Sequence, residues 1–259
     1  YMPHFDKTLQ GKNGRLFVRD WNPHLTEKTP IVLIHDSLGC VELWRDFPEQ
    51  LSEQTNRRVI AYDRLGFGKS DSVPQTISKG FIANEVSGSF ASVCEQLDIS
   101  KFIVLGHSVG GGMALNCASQ LPERCEAVIT IAAQSFVEDK TLAGIEAAKS
   151  LFKNPKQVER LEKYHGDKTQ WVLDSWINTW TSPEFVNWSL TDILPKVQAK
   201  LLIIHGLNDE YGSEKHPKSI VNLSSGQSTL ILMKDTGHFP HRERPEDVLK
   251  YIDRFLGSL

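Results

Sequence analysis

A chain of 259 residues with a formal charge of −3 and a pI near 6.3 offers no basic field for a nucleic acid and no polybasic segment for an anionic membrane. At 40% apolar and 24% charged residues, it has the balance of a folded domain and the length to bury one large core. Its apolar runs are too short to span a bilayer.

The opening "YMPHFDKTLQGKNG" has neither a basic start nor an apolar centre, so it does not read as a secretory signal. Met2 is the expected natural start. "HFDKTLQ" and "GRLFVRDW", around the turn Lys12-Asn13-Gly14, predict an antiparallel hairpin. Then come short apolar runs that each end in polar or glycine residues: "PIVLIHDS" from Pro30, "RRVIAYDRLGFGKSD" from Arg57, "FIVLGHS" from Phe102, "EAVITIAA" from Glu126, "LLIIHGLND" from Leu201 and "STLILMKDTGH" from Ser228. Runs this apolar predict strands buried on both faces, as in a parallel sheet.

Helical patterns lie between them. "LWRDFPEQLSEQ" follows the first run, and "IANEVSGSFASVCEQLD" the second, with Val86, Phe90, Val93 and Leu97 on one face. "GGMALNCASQLPE" follows the third, and "EDVLKYIDRFLGSL" comes last. Alternating strand and helix predicts an α/β fold: a mostly parallel central sheet flanked by helices, with the hairpin at its start. From Gln134 to Lys196 no strand run occurs, only helical pieces, and the stretch is too long for a loop. The expected organisation is therefore a core formed by residues 1–133 and 197–259, with a helical cap over 134–196. Cys40, Cys94, Cys117 and Cys125 show no paired or metal-binding spacing. They predict free, buried thiols in a cytoplasmic protein.

Gly106-His107-Ser108-Val109-Gly110 sits between a predicted strand and a predicted helix. A serine at such a turn is lifted above the sheet, and the Val109 N–H beside the helix N-terminus favours negative charge. A serine needs a base, and His238, between the last strand and the last helix, can take its proton and return it. His241, beside the charged "RERPED", is assigned to the surface. The base needs an acid to orient it. Asp209, past the penultimate strand, fits best, with Glu210 adjacent as a substitute. An acid after "EAVITIAA" is disfavoured because Gln134 and Ser135 stand there. The N–H groups of Ser37, in "HDSLG", and Val109 are candidates for an oxyanion hole.

With these motifs in place, the chain resembles the α/β-hydrolase superfamily over nearly its whole length. The resemblance rests on His35-Asp36-Ser37-Leu38-Gly39, on Asp63-Arg64-Leu65-Gly66-Phe67-Gly68-Lys69-Ser70, on the Ser108 motif, on Gly206-Leu207-Asn208-Asp209 and on Gly237-His238. It implies Ser108 as nucleophile, Asp209 as acid, His238 as base, oxyanion donors at Ser37 and Val109, and a cap that shapes the pocket. A serine at 108 argues against the branches that use an aspartate nucleophile, the haloalkane dehalogenases and epoxide hydrolases. The small cap-bearing esterases and enol-lactonases are most similar.

One departure is Asp36, where the family usually has glycine. Either its side chain turns away and braces the loop through backbone hydrogen bonds, the preferred reading, or it points inward to hold a water or a substrate hydroxyl. Leu173, Trp176, Ile177 and Trp180 recur on one helical face, flanked by Trp171 and Trp188. They read as a packed face or an acyl pocket, with Trp176 and Trp180 as candidate substrate contacts.

The expected activity is that of a cofactor-free, metal-free serine hydrolase acting on a small ester or lactone. A carbon–carbon bond hydrolase or lyase on the same scaffold, and a ligand-binding signalling protein that keeps the triad, are the alternatives.

Overall fold

The computed structural model describes residues 4–259; the expected start at Met2 lies outside them. Eight strands form one sheet: β1 (His4–Gly11), β2 (Gly14–Trp21), β3 (Ile31–Ile34), β4 (Val59–Tyr62), β5 (Phe102–His107), β6 (Cys125–Ile131), β7 (Lys200–Gly206) and β8 (Ser228–Met233). Their order across the sheet is β1-β2-β4-β3-β5-β6-β7-β8. β1 pairs antiparallel with β2 and β2 with β4, while every pair from β4 to β8 is parallel. The sheet is thus mostly parallel, with the expected hairpin at one edge.

The helices in chain order are α1 (Phe47–Thr55), α2 (Phe81–Asn84), α3 (Ser89–Gln96), α4 (Val109–Gln120), α5 (Asp139–Leu151), α6 (Pro155–His165), α7 (Thr169–Trp180), α8 (Lys215–Leu223), α9 (Pro240–Glu243) and α10 (Pro245–Leu256). The second helical pattern is split. α2 ends at Asn84 and α3 begins only after Gly88. Ser87 and Gly88 are poor helix formers, and they lie in the turn between the two. Val86, Phe90, Val93 and Leu97 are nonetheless all buried.

Alternation within each strand builds two cores. Val32, Ile34, Val104, Leu201 and Ile203 face one side with α3 and α4 residues, while Ile31, Leu33, Leu105, Leu202 and Ile204 face the other with α1 and α10. A strand residue that packs on neither side would forfeit about 2 kcal/mol of apolar burial, which is why the runs contain almost nothing polar. α5, α6 and α7 follow one another between β6 and β7. The parallel strands β3, β5, β7 and β8 end on the same edge, and each is followed there by a loop carrying a candidate residue. Among the described residues, no helix is long and apolar enough to cross a membrane.

Candidate active site

β5 passes into α4 with no spacer except Ser108, whose φ of 57° and ψ of −121° lie in a region that costs a non-glycine residue energy. The turn is possible because its neighbours lack side chains. A Cβ on Gly106 would lie 1.9 Å from the Gly110 carbonyl oxygen, and one on Gly110 would lie 2.2 Å from the Ile34 oxygen. Ser108 is held by its own backbone, which donates to the Ile131 carbonyl at 2.8 Å and accepts from Gly111 N–H at 2.9 Å. Its side chain faces a cavity and is 7% exposed.

The three candidates from the sequence meet in one line. Ser108 Oγ is 3.0 Å from His238 Nε2, and His238 Nδ1 is 2.8 Å from Asp209 Oδ2. Asp209 can only accept, so Nδ1 carries the proton and Nε2 is free to accept from the serine. Asp209 is fully buried, and its other oxygen accepts the Tyr211 N–H at 2.8 Å. Burial alone would raise its carboxyl, but the bond to His238, that ring's charge and the nearby His205 outweigh it and hold it below the ordinary range. For His238, burial acts to lower the pKa, yet the hydrogen bond and charge of Asp209, with Asp36 and Glu210 beyond, leave it raised. Glu210 is exposed at the cavity mouth and makes no bond to His238; of the two candidate acids, Asp209 is the one bonded to the ring.

Ser37 and Val109 line a narrow cleft with Arg64, Phe67, Trp176 and Trp180. Val109 is the first residue of α4, so its N–H has no partner within the helix. Asp36 does not line this cleft. It lines the main cavity, its carboxylate 3.8 Å from His107 Nδ1. The preferred expectation of a side chain held by loop N–H groups is corrected: among the described residues no loop N–H donates to the carboxylate, which faces the His107 imidazole at the edge of the cavity.

His241 is a second correction. It is buried at 4% exposure, with its ring 5.2 Å from Trp44, 5.3 Å from Phe47 and 4.6 Å from His107. Burial and the neighbouring His107 push its pKa well down, so it is an uncharged packing group. Its charged sequence neighbours point outward while the short α9 turns it inward.

The cavity over Ser108 and His238 measures about 550 Å³. α5 contributes Ile145, Ala148 and Leu151, and α7 contributes Trp176 and Trp180. Leu173 and Ile177 instead belong to the core. Trp171 packs on Phe67 at 5.5 Å and donates to the Gln75 carbonyl at 2.9 Å, and Trp188 stacks on Phe185 at 5.5 Å; neither lines the cavity. Two residues at the site were not assigned a role from sequence. Gln134 Oε1 lies 3.3 Å from Ser108 Oγ, and the Tyr211 ring lies 4.7 Å from that of His238. Gln134 follows a strand end on the active edge, a position that could have drawn attention to it. The four cysteines are free and buried. Burial, with Asp63 nearby, pushes the Cys40 thiol up to about 12, far from a reactive thiolate.

Comparison with known proteins agrees with this architecture. The family profile described as alpha/beta hydrolase fold matches residues 29–166. The chain is 36% identical over 139 residues to the mouse (Mus musculus) protein named 1-acylglycerol-3-phosphate O-acyltransferase ABHD5; the match takes in 52% of this chain and 38% of that protein. The chain thus spans well under half the length of that relative. It is 25% identical over 253 residues, 87% of this chain and 86% of the other, to a 2-hydroxy-6-oxononadienedioate/2-hydroxy-6-oxononatrienedioate hydrolase of Escherichia coli strain K12. Among solved structures, the enol-lactonase from Burkholderia xenovorans LB400 superposes with a TM-score of 0.75 at 17% identity, covering 97% of this chain and all of that one (100%).

Proposed function

For a chain that belongs to the alpha/beta hydrolase fold family, we propose the activity of a serine hydrolase that cleaves a small carboxylic ester or lactone through an acyl-enzyme on Ser108. The observation that carries it is the hydrogen-bonded line Asp209–His238–Ser108, at 2.8 and 3.0 Å, opening into an apolar cavity.

Each step uses a group already in position. Ser108 Oγ attacks the substrate carbonyl carbon while His238 Nε2 takes its proton. Asp209 stabilises the imidazolium and keeps the ring oriented. The carbonyl oxygen becomes an oxyanion, for which the N–H groups of Ser37 and Val109 are the donors in this reading. Collapse breaks the bond to the alcohol oxygen, which leaves with the proton from Nε2. Water then attacks the acyl carbon as it gives a proton to the same nitrogen; collapse breaks the bond to Ser108 Oγ, which takes that proton back as the acid leaves. The helices α5 to α7 act as the cap, setting acyl size through Ile145, Ala148, Trp176 and Trp180.

The substrate partner is a small molecule, and the four free, buried thiols support a reducing, cytoplasmic setting. A second reading, carbon–carbon bond hydrolysis, draws on the long match to the Escherichia coli hydrolase. The two are separated by intact-protein mass spectrometry after brief exposure to p-nitrophenyl hexanoate. An adduct of one acyl group, mapped to Ser108 and absent in Ser108→Ala, supports the ester reading. Turnover without any Ser108 adduct under rapid quench would overturn it.

A further inference from the structure

We propose that Asp36, helped by Glu210 at the mouth, is the charge filter of the cavity: it admits neutral acyl chains and disfavours any that carry a carboxylate. This rests on the reading of the cavity as an acyl site, and it adds the substrate class and a specificity-determining residue.

The lining is apolar apart from a few groups. Its ionisable members are Asp36, Glu210, Tyr211 and His238, and no lysine or arginine is among them. Burial pushes the Tyr211 phenol up to about 12, so it stays neutral. Burial would also raise Asp36, but His107, His35 and His238 together hold it well below the usual carboxylate range. Apart from His238, which the proposed chemistry requires neutral, the charged groups on the wall are therefore carboxylates.

The fold keeps the Asp36 carboxylate in place. A Cβ at Gly39 would lie 1.9 Å from Asp36 Oδ1, so the turn, closed by Gly39 N–H to the Asp36 carbonyl at 3.2 Å, accommodates that oxygen over a bare Cα. His107 Nδ1 faces the same oxygen at 3.8 Å. The nearby cations are otherwise engaged. Arg64 Nη2 donates to the main-chain oxygen of Asp36 at 3.0 Å, and its guanidinium lies 4.1 Å over the Phe67 ring. Arg242 Nη2 donates to the Leu43 carbonyl at 2.9 Å, with its guanidinium 4.5 Å over Phe239. Neither lines the cavity. A carboxylate on an incoming acyl chain thus meets two carboxylates and no lysine or arginine partner.

The consequence reaches the product. Deacylation releases an acid beside Ser108. Once ionised it faces Asp36, and repulsion favours its departure. A hydrolase acting on a dienedioate, as the name of the Escherichia coli relative states, handles an anionic chain. The wall described here suits the opposite case.

The test compares p-nitrophenyl hexanoate with mono-p-nitrophenyl adipate, and the binding of hexanoate with that of hexanamide by calorimetry. Proteins are the wild type, Asp36→Asn, Asp36→Glu and Glu210→Lys, the last on an exposed residue and safe for folding. Like charges a few ångströms apart in a partly dry site discriminate by about one to two decades. Wild type should favour the neutral ester by ~50-fold in kcat/KM. The ratio should fall ~10-fold in Asp36→Asn, persist in Asp36→Glu and shrink in Glu210→Lys. Hexanoate should gain ~10-fold over hexanamide in Asp36→Asn. Ratios unchanged in both Asp36→Asn and Glu210→Lys overturn the filter, even if every ester is cleaved. If no ester is cleaved but hexanoate still gains on hexanamide in Asp36→Asn, the filter stands and the hydrolase reading falls.

Discussion

His107 Nε2 donates to the main-chain carbonyl of His238 at 2.8 Å. The residue before the candidate nucleophile thereby holds the candidate base across 131 positions of sequence. It touches no reacting atom in the proposed chemistry, so its role is positioning. His107→Ala should lower kcat by about 10- to 100-fold, since small misplacements of a base are costly. His107→Gln, which can donate to the same carbonyl, should recover most of that loss. Steady-state kinetics with both variants decide it: equal losses would mean that packing, not this bond, matters.

Ser108→Ala should lose at least ~10³ in kcat, because binding and the oxyanion donors retain only part of the catalysis. Asp209→Asn should cost a comparable factor, since its amide cannot stabilise the imidazolium. Glu210→Gln should keep kcat for a neutral ester within about threefold of wild type. A silent Asp209→Asn paired with a dead Glu210→Gln would reverse the assignment of the acid.

The pH profile follows from charge. A general base must be neutral, and Asp209 raises His238 above the ordinary 6.5. The acid limb of kcat/KM should therefore rise with pH through a midpoint above 6.5, the activity being lost as pH falls below it. Removing a negative neighbour makes protonation harder. Asp209→Asn should move the midpoint down in its residual activity, and Asp36→Asn should move it down by less. Rates across pH 5 to 9, about the accessible range for such esters, would show a shift in either direction.

Gly110→Ala should be severe. Its methyl would fall 2.2 Å from the Ile34 carbonyl oxygen, and backbone on both sides leaves no flexible group to yield. A loss of about 3 kcal/mol is expected, lowering Tm by roughly 8 °C in a domain of this size. Calorimetry against Gly112→Ala provides the control, because a Cβ there meets only side-chain atoms at 3.4 Å or more.

The parts legible in sequence are those fixed by local pattern. Ile31 to Ile34 and Leu201 to Ile204 are apolar at every position because both faces of their strands are covered. Ser108, Asp209 and His238 were identifiable because each follows such a run. Contacts between distant segments were not legible. His241 lies in a charged stretch, yet Trp44 and Phe47 reach it from some 200 residues away. Asp36 could be placed only once His107 and Gly39 were seen on either side of it. Trp171 and Trp176 look alike on a helical wheel. Phe67 claims the first and the cavity the second.

β8 is an edge strand of the sheet and, among the described residues, pairs only with β7, and the loop after it carries His238. This sets a chronology for biosynthesis. When Ser108 and its glycines emerge from the ribosome, and even after Asp209 has followed, the hydroxyl lacks its proposed general base. In the proposed mechanism, reactivity would be switched on by the docking of one peripheral strand. A nascent or clipped chain that stops before Ser228 would present its nucleophile inert to every ester it meets.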